Sequence, residues 1–552
     1  MKKNFFKGPW PWVFLLFIVV IIRLFYVHCL PDKRVVRQAQ RQYWSEIPVS
    51  TTRGSIVDTQ GNPLALSVPA YSFFIDPAFW APSNAQALKK HLPTSVIKKI
   101  SSPLSGRFHW VARKVNQQEA DAMSALNLPG LYRIQEKKRI YPQNVLLSHV
   151  LGFCDIDDKG LSGTEFVWDQ FLYSPPGIRF FIKDASGQAI DVTTTLSDLD
   201  KIEHKGKVCL TVDMRIQYVV ERRLEETVNM HKARWGAALC MNPQTGEILA
   251  MASVPSFNPN NRKDLLDTKK LFNSVIGRVY EPGSTLKPVI VAIALEKGVT
   301  YPSEIFKTPH RIKVADGSIS EAGYHNWGKL SLGDIVVKSS NVGMAQLGLR
   351  IPPFNMYNSL REWGFGQPIG VELNGVESGL LPSPEQWRGV VPANIAIGQG
   401  IGMTPLHLLT ATSAIVNGGD LLRPYIVAEV TDSKGRVIYK GQKEVIRTVV
   451  SPSIAAWVRK VMRDVVINGT GKRADTQVTT LAGKTGTAQV AEKGVYAKNK
   501  WVASFIGFWP YESPQYAMLV VIGEPSKGRY YGGDVAGPLF KSIVEDMALL
   551  NL

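Results

Sequence analysis

From Trp10 to Leu30 apolar residues run almost without a break, interrupted only by Arg23 and His28. At about 20 residues the run is long enough to cross a bilayer as one helix, and no small-residue cleavage site follows it, so it reads as an uncleaved signal anchor. Further along, Gly236 to Met241 and Glu247 to Ser253 are apolar runs joined by Asn242-Pro243-Gln244-Thr245-Gly246, which predicts a hairpin. Thr285 to Glu296 predicts a mostly apolar helix, and Leu330 to Val337 has helix-compatible spacing. Near the C-terminus, Thr479 to Val490, Val502 to Trp509 and Tyr516 to Gly523 read as strands, and Ala536 to Leu550 as a closing helix. Two strands, then helices, three strands and a last helix predict an α+β domain built on one antiparallel sheet flanked by helices.

Composition changes this picture little. The 552 residues are 45% hydrophobic, enough for a substantial core. The net charge of +18 is spread along the chain without an aromatic-interleaved basic motif, so no nucleic-acid partner is expected and a solvated basic surface explains it. Lys2, Lys3 and Lys7 before the apolar run are balanced by Lys33, Arg34, Arg37 and Arg41 after it, so charge alone does not orient the span. Cys29, Cys154, Cys209 and Cys240 show no paired metal-ligand spacing; no metal or cofactor is expected, and one disulfide among the last three is left open.

Candidate chemistry sits in three short stretches: Ser284-Thr285-Leu286-Lys287, Ser339-Ser340-Asn341 and Lys484-Thr485-Gly486-Thr487. An S-x-x-K match alone says little, since about two are expected by chance in a chain of this length, and Ser95-Val96-Ile97-Lys98 is another. Context separates them. Ser284 follows the turn signal Glu281-Pro282-Gly283 and opens an apolar helix, where free N–H groups favour developing negative charge. Lys287, three residues on, shares its helix face and can act as base if its pKa is lowered. Ser339 can relay a proton and Asn341 can hold a peptide group. On a strand, Thr485 and Thr487 share one face, Gly486 admits a close neighbour, and Lys484 with the two threonines suits a terminal carboxylate. The backbone N–H groups of Ser284 and Thr487 are the expected oxyanion donors, each worth about 3 kcal/mol of barrier.

The trio resembles the signature of serine penicillin-recognising enzymes, and the whole chain resembles a class B penicillin-binding protein, most closely the septal peptidoglycan transpeptidase. Also matching are Arg53-Gly54-Ser55-Ile56-Val57-Asp58, Gly160 to Glu165, Leu210 to Asp213 with Ile216-Gln217, Gly398-Gln399-Gly400 and Tyr531-Gly532-Gly533. Asn341 favours the septal type, because elongation-type relatives carry Asp there. The resemblance implies a cytoplasmic tail (1–9), a transmembrane anchor (10–30), a neck and non-catalytic pedestal (31–205), and a transpeptidase domain (206–552) outside the cytoplasm. The pedestal would take in the stretches around Arg53 and Glu165, with a subdomain inserted near Pro82 to Leu128. Pro31 to Trp44 is expected to be a helical neck and Asp184 to Asp200 an exposed linker. Peptidoglycan stem peptides are the implied substrates and β-lactams the implied inhibitors, with a SEDS-family glycosyltransferase and other division proteins as partners. The alternatives are an elongation-type transpeptidase, a β-lactam-binding hydrolase, and a receptor or scaffold. Class A β-lactamases add an E-x-x-L-N stretch, which this chain lacks.

Overall fold

The computed structural model describes residues 9–29, 44–49, 52–106, 108–173, 177–183, 189–190, 206–315, 317–492 and 495–551. The N-terminal apolar run forms one helix, Trp10–Cys29, long and apolar enough to cross a membrane. Residues 31–43 of the expected neck lie outside the described residues; Trp44 begins the strand Trp44–Val49, which pairs antiparallel with Gly177–Lys183. Of the expected linker only Ala189–Ile190 is described, as a short strand on Ile182 and Lys183.

The chain divides into two compact units. The smaller takes Val68–Lys138 together with the flanking segments Met1–Thr52 and Ser174–Glu203. Within it, the strand His109–Val115 lies antiparallel to the end of Pro63–Ile75, with Phe74 opposite Trp110. The residues expected to form an inserted subdomain fold around Phe73, Ile75, Trp80, Leu88, Ile97, Ile100, Val111 and Met123. Asn116 and Glu119 form a reciprocal cap on the helix Gln117–Ser124. Ser95 and Lys98 lie on the helix Thr94–Ile100 with both side chains exposed. The chance motif is an exposed face of a surface helix.

The larger unit holds Arg53–Ser67, Arg139–Tyr173 and His204–Leu552. Its main sheet has five antiparallel strands in the order Ile248–Val254, Trp235–Met241, Tyr516–Gly523, Val495–Trp509, Ala482–Glu492. All seven residues of Trp235–Met241 are buried, because the sheet is covered on both faces and the period-2 alternation splits them between two cores. Ala237, Leu239 and Met241 belong to the same core as Val289, Ile290, Ile293 and Leu409. Ala238 and Cys240 face the core formed by Val220 and Leu224 of Met214–Met230 and by Leu539, Phe540 and Ile543 of Gly532–Leu549. Apolar on every side, the helix Lys287–Glu296 is buried from Lys287 to Ala294. Pro288 falls in its first turn, where no backbone donor is required. The predicted hairpin forms with its turn closed by Asn242 N–H on Glu247 O (2.8 Å) and Gly246 N–H on Asn242 O (2.9 Å).

Segments of the two units alternate along the chain. Ser55–Val57 pairs in parallel with Lys207–Leu210, Ile56 opposite Val208. Nearby, fully buried Glu165 accepts from Arg53 Nε (2.6 Å), Arg139 Nε (2.6 Å) and Tyr141 OH (3.1 Å). Two cations hold this carboxylate below its usual pKa against the opposing effect of burial. By contacts, the stretches around Arg53 and Glu165 group with the larger unit, and Ser55–Val57 joins Lys207–Leu210 in a second sheet, separate from the five-stranded one. Cys154, Cys209 and Cys240 are free thiols, so the disulfide left open by the sequence is not formed among them.

Candidate active site

Ser284 lies in a one-turn 3-10 segment, Gly283–Leu286, that runs directly into the helix Lys287–Glu296. The turn needs Gly283 at φ +56°, a left-handed conformation that costs a side-chain-bearing residue. Beside it runs Ala482–Glu492, the edge strand of the sheet. A methyl group on Gly486 would stand 2.8 Å from Thr285 Cγ2, 3.0 Å from Pro282 O and 2.3 Å from Ser504 Oγ. Only a glycine lets the strand lie this close to the nucleophile turn.

The second motif sits between two short helices, Leu332–Val337 and Asn341–Arg350. Ser339 is left-handed at φ +58°, a strained conformation of the kind that clusters at functional sites. Its carbonyl accepts from Lys287 Nζ at 2.7 Å, and Asn341 Oδ1 accepts from the same nitrogen at 2.8 Å. Ser339 Oγ stands between the two lysines, 3.3 Å from Lys287 Nζ and 3.0 Å from Lys484 Nζ. Lys484 Nζ also donates to Thr485 O at 2.9 Å. Thr485 Oγ1 pairs with Thr470 Oγ1 at 2.7 Å, and Thr487 Oγ1 accepts from Gly532 N at 2.9 Å.

Both lysines are fully buried. Burial pulls Lys287 down to about 7, opposed by the negative charge of Glu321. Lys484 is held well below the usual lysine range, by burial first and then by the neighbouring Lys287. Desolvation is thus the leading cause for both lysines, and the repulsion between them bears on Lys484. A neutral Lys287 has two N–H groups for Ser339 O and Asn341 Oδ1, which leaves its lone pair free. Among the described residues Ser284 Oγ has no hydrogen-bond partner, so the expected direct Ser–Lys contact is open in this resting geometry.

These residues line one cleft of about 630 Å³, with Ser284, Ser339, Asn341, Thr485 and Thr487 all on its wall. Gln399 and Tyr531, from two of the other stretches that carried the resemblance, line it too. Sequence reasoning missed Glu321, Thr470 and Lys472, which also line it. Glu321 lies in a segment without periodicity and carries no motif, so no sequence signal marks it.

A five-stranded antiparallel sheet between two helical layers, with two buried lysines and two cleft-lining serines gathered at its edge strand, defines a penicillin-recognising acyl-transfer fold. Comparison with known proteins agrees. Residues 236–545 match the Penicillin binding protein transpeptidase domain family, and residues 48–201 match the Penicillin-binding Protein dimerisation domain family. The chain belongs to the class B penicillin-binding proteins, in which such a dimerisation domain precedes the transpeptidase domain. It is 33% identical over 539 residues to the peptidoglycan D,D-transpeptidase FtsI of Escherichia coli (strain K12), covering 95% of this chain and 87% of that one. It is 32% identical over 549 residues to stage V sporulation protein D of Bacillus subtilis (strain 168), covering 96% and 83%. Among solved structures, penicillin binding protein 3 of Mycobacterium tuberculosis complexed with aztreonam superposes with a TM-score of 0.69 at 26% identity, covering 92% of this chain and 97% of that one.

Proposed function

We propose that this chain is a peptidoglycan D,D-transpeptidase that cross-links stem peptides during septal wall synthesis through a Ser284 acyl-enzyme. The observation that carries it is the meeting of two buried lysines from separate motifs on one hydroxyl, Ser339 Oγ, in the cleft that holds Ser284. Neutral Lys287 takes the Ser284 proton as Oγ attacks the penultimate D-Ala carbonyl. The backbone N–H groups of Ser284 and Thr487 receive the oxyanion. Collapse breaks the D-Ala–D-Ala peptide bond, and the departing amine takes its proton through Ser339 Oγ from the lysine pair. Asn341 holds the stem's peptide group. Lys484, Thr485 and Thr487 hold the terminal carboxylate, whose charge favours the ammonium form of Lys484, and Gly486 keeps the strand close enough to do so. The amine of a neighbouring stem then attacks the ester, forming the cross-link and returning the proton to Ser284. A β-lactam entering the same cleft leaves its acyl group on Ser284.

Two carboxylates line the cleft, and their engagement favours transfer over hydrolysis. Glu321 is occupied by Ser340 and two backbone N–H groups, and Asp534 by Arg473 and Arg529. Neither is poised as a base for a deacylating water. The name of the Escherichia coli relative supports the septal role. We place the Trp10–Cys29 helix in the cytoplasmic membrane with the catalytic unit outside, and a SEDS-family glycosyltransferase among its partners.

The test is intact mass of the full chain in detergent after mixing with benzylpenicillin, alongside Ser284→Ala. A stable one-penicillin adduct absent from the variant is expected. Rapid loss of the adduct with product release would favour a hydrolase, and no adduct on folded protein would remove the enzymatic reading.

A further inference from the structure

Glu321 belongs to none of the three motifs, yet the second motif hangs on it. Its side chain is 6% exposed. Ser340 Oγ donates to Glu321 Oε1, Val342 N to the same oxygen at 3.3 Å, and Asn341 N to Oε2 at 2.8 Å. The carboxylate therefore takes up the free N–H groups and faces the positive end of the helix Asn341–Arg350. Ser340 keeps its own capping bond, accepting from Gly343 N at 3.0 Å. The preceding residue fixes the amide: Asn341 Nδ2 donates to Ser320 O at 3.3 Å, which leaves Oδ1 turned to Lys287 Nζ. Ser320–Glu321 thus sets both the backbone and the side-chain orientation of Asn341.

We propose that Glu321 is a positioning residue of acylation: through Ser340 Oγ, Asn341 N and Val342 N it holds the second motif so that Asn341 Oδ1 stays on Lys287 Nζ. The inference rests on the transpeptidase reading. The other charged or titratable groups around this pair are Lys484 on the edge strand, bridged to Lys287 by Ser339 Oγ, and Lys338, His325, Lys472 and Arg473 with its partner Asp534 on the cleft wall. His310 faces Glu321 through its backbone carbonyl, which accepts Glu321 N at 2.8 Å. Glu321 is the negative charge that favours the ammonium form of Lys287.

The rate of benzylpenicillin acylation, followed by intact mass on the full chain between about pH 5.5 and 9, separates positioning from mere support of the fold. Glu321→Gln keeps the shape and removes the charge. Its acid limb is expected at lower pH than wild type, with an alkaline plateau about tenfold lower as one charge-assisted capping bond is lost. Glu321→Asp keeps the charge on a shorter arm, so its limb stays in place while the plateau falls. A Glu321→Gln limb at the wild-type pH overturns the electrostatic role, and an unchanged Glu321→Asp plateau overturns the positioning role. Should Glu321→Gln fail to fold, Glu321→Asp decides: a displaced limb or an undiminished plateau counts against the proposal. If the wild-type chain itself is not acylated, the transpeptidase reading has failed instead, so the two failures are distinguishable.

Discussion

A lysine buried to the last atom and hydrogen-bonded to neutral oxygens is easier to deprotonate than one in water, because burial penalises the charged form. With Lys287 down to about 7, its neutral fraction, and with it the acylation rate, rises as pH increases through about 7 and levels off above. Stopped-flow acylation by a chromogenic β-lactam across that range reads this limb directly. Lys287→Arg cannot follow it, since a guanidinium stays protonated at any working pH, and acylation should fall on the order of a thousandfold. Most of this arrangement was legible in the residues. Ser284, Lys287, Ser339, Asn341, Lys484, Thr485 and Thr487 converge as their motifs imply. Glu321 was not legible, because its role comes from a tertiary meeting with residues about 20 positions away. The open Ser284–Lys287 contact was not legible either, since which acceptors a lysine chooses depends on where Ser339 O and Asn341 Oδ1 fall in space.

At the scale of elements, the decisive contact is between the edge strand Ala482–Glu492 and the turn that holds Ser284. Gly486→Ala would place its methyl against Thr285 Cγ2, Pro282 O and Ser504 Oγ. Overpacking of this kind costs about 1–3 kcal/mol, and the strand relieves it most easily by moving away from Ser284. Acylation should therefore drop by about ten- to a hundredfold, while the urea midpoint shifts only modestly; equal acylation in variant and wild type would show that the strand gives way elsewhere. The strands themselves were readable from apolar runs bounded by turn residues. Their extents were not always so. Val495–Trp509 begins seven residues before the predicted start at Val502, because Tyr496 and its neighbours pair with the Lys484 strand through a polar extension that lacks an apolar pattern. Likewise Leu330 and Ser331 end a strand, Gly328–Ser331, and the helix starts at Leu332. The reciprocal cap between Ser331 and Asp334 sets that boundary.

Across the whole molecule, stability also carries a pH signature. Burial raises Glu221 from 4.5 to about 7, with Leu147 N and Gln217 Nε2 both donating to its Oε2. Between those two values the folded chain keeps a proton that the unfolded chain has lost, so stability falls as pH rises from about 4.5 through about 7 and is flat outside that window. Glu221→Gln, whose amide oxygen can accept the same two bonds, should match wild type near pH 4.5 and exceed it at pH 8 by up to about 3 kcal/mol. Thermal midpoints of both proteins at the two pH values check this. At this scale reading order does not show the contact grouping, which places Arg53–Ser67 and Arg139–Tyr173 with His204–Leu552 because strand pairing and ion pairs join segments far apart in sequence. In gene terms, segments of the two units alternate along the chain. A recombination crossing at residue 206 would bring together an Ile56 and a Val208 from different ancestors on adjoining strands, while the Arg53, Arg139 and Glu165 triad travels with the upstream parent. Mosaics between relatives should thus survive best when the three segments are inherited as one block.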